Sequence, residues 1–146
     1  MNSLAIAKHI AFKYLAAKQY IDNARIQKIL YLLQGYHMYL TGDTLYPNAI
    51  YVWKDGPSIP ETYMNDACIE DMAECIDEIM DDSIVQFIDA IINETMKYSL
   101  EALSTLCNET IPIQFTTVGF VVDTIKIKYF FQSNDPLNIK NLLILI

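Results

Sequence analysis

The chain has 146 residues, 53% hydrophobic and 19% charged, with a net charge of −8. That balance excludes a disordered polymer and supplies enough apolar material for one domain with a real core. Four Gly and five Pro leave little for flexible linkers or low-complexity tails, and no internal repeat is visible.

The charge is unevenly spread. Residues 1–64 carry six Lys/Arg against four Asp/Glu, residues 65–109 carry only Lys97 against twelve acids, and residues 110–146 carry three bases against two acids. The acidity belongs to one segment. It argues against direct binding to nucleic-acid phosphates, which needs a basic patch, and favours a protein partner with a basic surface or a plain solvated face. Cys68, Cys75 and Cys107 are odd in number and lack C-x-x-C spacing, so neither a disulfide framework nor a zinc site is suggested. A reduced, cytoplasmic setting is the simplest expectation. No signal-peptide pattern opens the chain, and the longest uncharged run, Ile29 to Gly42, is too short and too polar to span a membrane.

In chain order, Ser3 is expected to cap a first helix whose buried stripe is Ala7, Ile10, Ala11 and Tyr14. A second helix starts at Asp22-Asn23. Ile26, Ile29, Leu30, Leu33, His37 and Leu40 form one face of it, and Tyr31, Leu32, Tyr36 and Tyr39 cover much of the rest. A helix apolar on nearly all sides is central and packs on several neighbours. Gly42 is placed to end it in the left-handed conformation. Ile50 to Trp53 reads as a short extended piece or small hairpin, Asp55-Gly56-Pro57 as a turn, and Ser58 to Glu61 as a capping box.

Met64 to Met80 is predicted as an acidic amphipathic helix. Ser83-x-x-Gln86 is a second capping box opening a helix with Phe87, Ile88, Ile91 and Ile92, and Ser99 caps another with Leu100, Leu103, Leu106 and Cys107. Ile111 to Val122 is β-branched and expected to be irregular or partly extended. Asp123 or Thr124 starts a helix through Phe131, and Asp135-Pro136 starts the last. The apolar end, Leu142 to Ile146, is expected to dock into the core or a dimer groove. The fold class is mainly α: a compact single domain over 1–146, about seven helices with one or two short extended segments or a small hairpin, and an acidic variable segment at 65–82.

The search for chemistry yields little. No metalloprotease, nucleophile-elbow, P-loop or dinucleotide fingerprint is present. His37 on the buried face of its helix reads as a packed histidine, and Cys107 lacks the base and electropositive setting of a nucleophile. Rows such as Glu70/Glu74 and Glu74/Glu78 read as a solvated face, since a hard-metal site needs more converging oxygens. No catalytic residue, metal or cofactor is expected. Ten Tyr and one Trp instead suggest recognition, because these side chains bury area while keeping a polar tip.

Arg25-Ile26-Gln27-Lys28-Ile29-Leu30-Tyr31 with Gln34, then Gly35-Tyr36-His37, Gly42, Leu45-Tyr46, Val52-Trp53-Lys54-Asp55-Gly56-Pro57 and Pro60-Glu61-Thr62-Tyr63 resemble the Panacea domain family of SocA-like antitoxins. The resemblance covers residues 5–64 closely and runs collinearly through 83–131. It departs where Cys107-Asn108 and Pro112-Ile113 replace the family's Thr-His and Pro-Trp. Lys28, Leu30, Tyr31, Gln34, Gly42, Trp53, Gly56, Pro57 and Tyr63 are thereby expected to be scaffold positions. The resemblance implies a non-enzymatic antitoxin that binds a toxin encoded beside it and is carried on a prophage or other mobile element.

The expected partner is that cognate toxin, with a homodimer left open, and Glu70, Asp71, Glu74, Asp77 and Glu78 are the expected contact residues because an acidic surface steers onto a basic one. The alternative is an acidic, phage-encoded mimic of nucleic acid that blocks a host defence protein. Mimics spread acids over much of the fold, whereas the first 64 residues here are slightly basic.

Overall fold

The helix Asn23–Thr41 sits at the centre of the computed structural model, which describes residues 1–75 and 80–144. In chain order the α-helices are α1 (Ser3–Ala16), α2 (Asn23–Thr41), α3 (Ile69–Ala73), α4 (Asp82–Thr95), α5 (Leu100–Asn108), α6 (Ile111–Gln114), α7 (Thr124–Ser133) and α8 (Lys140–Leu143). Two short strands, β1 (Tyr51–Trp53) and β2 (Gly56–Ser58), form an antiparallel hairpin, and single 3₁₀ turns lie at Pro60–Thr62 and Asp66–Cys68. The protein is mainly α, with eight α-helices among the described residues where about seven were expected.

The all-round apolar character of α2 explains its position. Ile26, Ile29, Leu30, Tyr31, Leu32, Leu33 and Tyr36 are fully buried, and α1, α4, α5, α7 and β2 all pack on it. Each buried Ile or Leu removes apolar surface worth about 1.5–3 kcal/mol from water. The helix starts at Asp22, whose carboxylate accepts the Arg25 N–H at 3.0 Å. It stops at Gly42, which is left-handed at φ 82° and donates its N–H to Met38 C=O. His37 is half-buried, with Nδ1 2.7 Å from Asp43 O and its ring 5.8 Å from Phe87. The buried face runs out before Leu40, which is exposed.

Several helix starts differ from expectation. Asn2, not Ser3, caps α1 by accepting the Leu4 N–H, and Ser3 instead donates to Asn48 Oδ1 at 2.5 Å. Asp81, not Ser83, caps α4. Its carboxylate accepts both the N–H and the O–H of Ser83, and these bonds hold it below the usual carboxylate range. An ionised cap makes stronger hydrogen bonds than a hydroxyl and also suits the positive end of the helix dipole. Ser99 caps α5 as expected, accepting the Ala102 N–H at 3.0 Å.

Ser58 opens no capping box. It is buried in β2, and the Pro60–Thr62 turn has no side-chain cap. The hairpin turn falls on Lys54-Asp55, so Gly56 and Pro57 are strand residues rather than turn residues. Pro57 costs no ladder bond. Its partner Val52 directs its amide to the other side, donating to Phe120 O and accepting from Gly119 N. Gly56, at φ 114°, lies against α5, where an added Cβ would come within 2.7 Å of Asn108 Oδ1.

The long acidic helix is absent: α3 ends at Ala73, and residues 76–79 of the predicted span lie outside the described residues. Like charges four apart, as in Glu70/Glu74, weaken a helix. Ile111 to Val122 is part helix, as α6, and part irregular, with Val121 bridged to Tyr51. Asp123 caps α7. The last helix begins at Lys140 rather than at Asp135-Pro136, because the Asp135 carboxylate is occupied by the Tyr36 O–H and by the N–H groups of Ile139 and Lys140. Leu143 is buried while Leu142 and Ile144 are exposed; Leu145 and Ile146 lie outside the described residues.

Candidate functional site

Polar side chains on α2 organise the segment that follows it. The Asn23 amide donates to Met64 O and Asp66 Oδ1 and accepts Met64 N–H at 3.0 Å. Gln27 accepts Ile59 N–H at 2.8 Å and donates to Thr62 Oγ1 at 2.9 Å. Gln34 accepts Leu45 N–H at 2.6 Å and donates to Tyr46 O at 2.9 Å. An amide carries both a donor and an acceptor, so each side chain stands in for the backbone partner that a loop lacks. Tyr46 O–H closes the arrangement on Leu30 C=O at 2.8 Å. Tyr31 is fully buried against Thr110 Oγ1 at 2.7 Å, and burial pushes its phenol above its ordinary range.

Lys28, Trp53, Gly56, Pro57 and Tyr63 meet around one cavity of about 170 Å³, together with Asn23, Ala24, Gln27, Asp55 and Ser58. Lys28 is only 3% exposed. Its ammonium donates to Ala24 O at 3.2 Å and Asp55 O at 3.1 Å, and burial lowers its pKa despite nearby carboxylates. Trp53 and Tyr63 form the rim at 40% and 45% exposure, with ring centroids 5.7 Å apart. Leu30, Tyr31, Gln34 and Gly42 stand apart from this cavity, in the core and at the end of α2.

Glu70, Asp71 and Glu74 are exposed on or just beyond α3. Glu70 and Glu74 line a groove of about 310 Å³ between α3 and α1, with Phe12, Leu15, Ala16 and Ala73 as its apolar walls. Asp77 and Glu78 lie outside the described residues. Cys107 is buried beneath Lys28 C=O, and burial pushes its thiol up to about 12. Among the described residues no three His, Cys, Asp or Glu side chains converge as metal ligands do, and no helix is long and apolar enough to cross a membrane.

A further surface went unread in the sequence. Ile111, Phe115, Val118, Phe120, Val121, Ile125 and Tyr129 are all exposed, Phe115 at 75% and Phe120 at 65%. The signal was the stretch Thr110 to Val122, thirteen residues without a charge, which is too apolar for the single turn of α6 and the loop after it to bury.

Together these features define a small helical scaffold whose exposed features suit recognition by contact. A family model described as "Antitoxin SocA-like, Panacea domain" matches residues 26–111, more than half of the chain. The chain belongs to this SocA-like, Panacea-domain antitoxin family. No curated protein and no solved structure matches it.

Proposed function

We propose that this protein is a non-enzymatic antitoxin that neutralises a toxin by direct contact in the cytoplasm, the toxin being encoded beside it on a prophage or other mobile element. Family membership supports a toxin–antitoxin role in general. The observation that carries direct contact is the apolar face from Ile111 to Tyr129. Side chains of this size offer an area on the order of the ~800 Å² that each partner gives to a standard interface. A monomer usually exposes only a few hundred Å² in its largest apolar patch. That this surface is apolar, not acidic, favours protein recognition over mimicry of nucleic acid.

The acidic groove supplies the second element. Glu70, Asp71 and Glu74, with Asp77 and Glu78 beyond them, steer a basic toxin, and Phe12 in the groove offers it an apolar anchor. The scaffold positions of α2 and the hairpin hold both surfaces in place.

The test is co-expression with the neighbouring reading frame. Its product alone should arrest growth, and the pair should restore growth and co-purify. Phe115→Asp with Phe120→Asp should abolish rescue and co-purification while leaving the melting temperature of the antitoxin unchanged. Rescue that survives both substitutions would remove this face from the interface, and rescue without co-purification would remove direct contact.

A further inference from the structure

We propose that the cavity between α2 and the hairpin, formed by Lys28, Trp53, Gly56, Pro57 and Tyr63, is a binding site for a carboxylate group. The proposal concerns a different surface from the toxin-contact face and does not depend on that assignment.

The first observation is the ammonium of Lys28. A buried charge is normally paired, because desolvating it alone is costly. Here its two acceptors are neutral main-chain carbonyls, of Ala24 and Asp55, and no carboxylate among the described residues lies within ion-pair distance of it. An ammonium has three protons, and these carbonyls take two. The Asp55 side chain, exposed at the rim, acts on Lys28 through its field but makes no ion pair with it.

The second observation is that the other free valences lining the cavity include further donors. Tyr63 Oη accepts from Ser58 Oγ at 3.2 Å, so its own proton is available. Trp53 carries an indole N–H, which can only donate, and makes no hydrogen bond with the described residues. Gln27 and Asn23 have both ends of their amides engaged elsewhere. Donor-bearing residues on α2, on β1 and just after the Pro60–Thr62 turn line the cavity of about 170 Å³, a set that suits a small, acceptor-rich anion. The tilted Trp53 and Tyr63 rings give the carbon atoms behind a carboxylate an apolar wall. Gly56 keeps this wall in register, since any side chain there would strike Asn108. The carboxylate could come from a free small acid, a partner's chain terminus or a partner's Asp or Glu.

Trp53 is the sole tryptophan, so its emission reports on the cavity directly. The probes are benzoate, a short acetylated peptide ending in a free carboxylate, and the same peptide amidated at its end but carrying one internal Glu. The controls are benzamide and the amidated peptide with Gln in place of Glu. At least one carboxylate probe should give a saturable change in Trp53 emission, with its neutral counterpart at least tenfold weaker; which probe responds assigns the source. Lys28→Met should lose the response. Because that variant also loses two bonds to the backbone, Tyr63→Phe is the second. It keeps the ring and loses the hydroxyl, and with it both the free proton and the acceptor for Ser58 Oγ. It should bind about fivefold more weakly, whereas Ser58→Ala, which removes only that internal bond, should bind as the parent does. No saturable response to any of the three carboxylates, equal responses to the neutral controls, or unaltered affinity in Tyr63→Phe would each overturn the proposal.

Discussion

The ring of Phe131 lies directly on the backbone of Gly35. A Cβ built on Gly35 would stand 2.2 Å from Phe131 Cε2, so α2 and α7 touch where one helix has no side chain. The same ring makes edge contacts with Tyr31 and Tyr36, at centroid distances of 5.9 and 5.1 Å. Glycine inside a helix normally costs about 1 kcal/mol relative to alanine; here it permits the Phe131 ring of α7 to lie against the α2 backbone. Gly35→Ala should therefore destabilise the protein despite its better helix propensity, by about 1–3 kcal/mol or more from overpacking. Denaturant unfolding of the two proteins checks this. A stabilised variant would mean that α7 can shift at little cost.

Gln34 gives a second test, because its amide serves two backbone groups at once. Gln34→Glu keeps an acceptor for Leu45 N–H, loses the donor to Tyr46 O and buries a charge. It should cost about 2–4 kcal/mol at neutral pH. The sign with pH is specific. Burial raises the native pKa of the new carboxyl above its unfolded value of about 4.3, so between the two the folded state binds more protons and stability grows as pH falls. The gap between variant and parent should narrow from pH 7 to pH 5 in thermal melts, and a constant gap would contradict the assignment.

These two residues show what was legible in the sequence. The centrality of α2 could be read because its apolar residues cover every side, and Asp22 and Gly42 mark its ends. The close approach at Gly35 could not, since it depends on Phe131, nearly a hundred positions away. For α1 and α4 the caps were legible to within two residues: Ser3 and Ser83 are good caps, but Asn2 and Asp81 stand beside them and win on hydrogen bonding. Ser58, by contrast, caps no helix, and the last helix starts at Lys140, five residues past Asp135. The apolar face escaped because Phe115 and Phe120 have the composition of a core, and only tertiary packing reveals that nothing among the described residues covers them. Lys28, Trp53, Gly56, Pro57 and Tyr63 were singled out individually, but their convergence on one cavity depends on a hairpin turn one residue earlier than the Asp-Gly-Pro signal suggests.

Asp135 ties the C-terminal segment to α2, and its titration should be visible. It accepts Tyr36 O–H at 2.6 Å, and the same oxygen of Tyr36 accepts Leu137 N–H at 2.8 Å. Partial burial alone would raise the Asp135 pKa, but the bonds from Tyr36, Lys140 and Ile139 outweigh it and hold the carboxyl below its ordinary value. A depressed native pKa means stability that is present in full above the unfolded value, about 3.9, and lost as pH falls through the native value. Asp135→Asn should therefore be less stable than the parent at pH 6, with the difference closing below about pH 4. Melting curves across that range measure it; a difference independent of pH would assign the effect to packing alone.

The three cysteines should separate cleanly by reactivity. Cys68 and Cys75 are exposed and Cys107 is buried, with its thiol held in the protonated form by burial more than the nearby Lys28 draws it down. The thiolate is the reactive species. Iodoacetamide on the folded protein should add two alkyl groups by mass spectrometry, and a third only in denaturant. Early labelling of Cys107 would show that α5 opens from α2 far more readily than its packing implies.

Charge on the groove between α1 and α3 gives the last test. Glu70 and Glu74 are exposed beside the apolar Phe12, so they can act on an approaching partner at long range without being part of the core. Complementary fields raise association rates by 10-fold or more at low salt and lose that effect as salt screens them. Glu70→Lys with Glu74→Lys should slow toxin association by roughly tenfold at low ionic strength and flatten its salt dependence, with little change in the dissociation rate. Surface substitutions away from packing features usually change stability by about 0.5 kcal/mol or less, so the melting temperature should hold. Stopped-flow association with the toxin proposed to be encoded by the adjacent gene measures both quantities, and an unaltered rate with an unaltered salt slope would show that the groove takes no part in recognition.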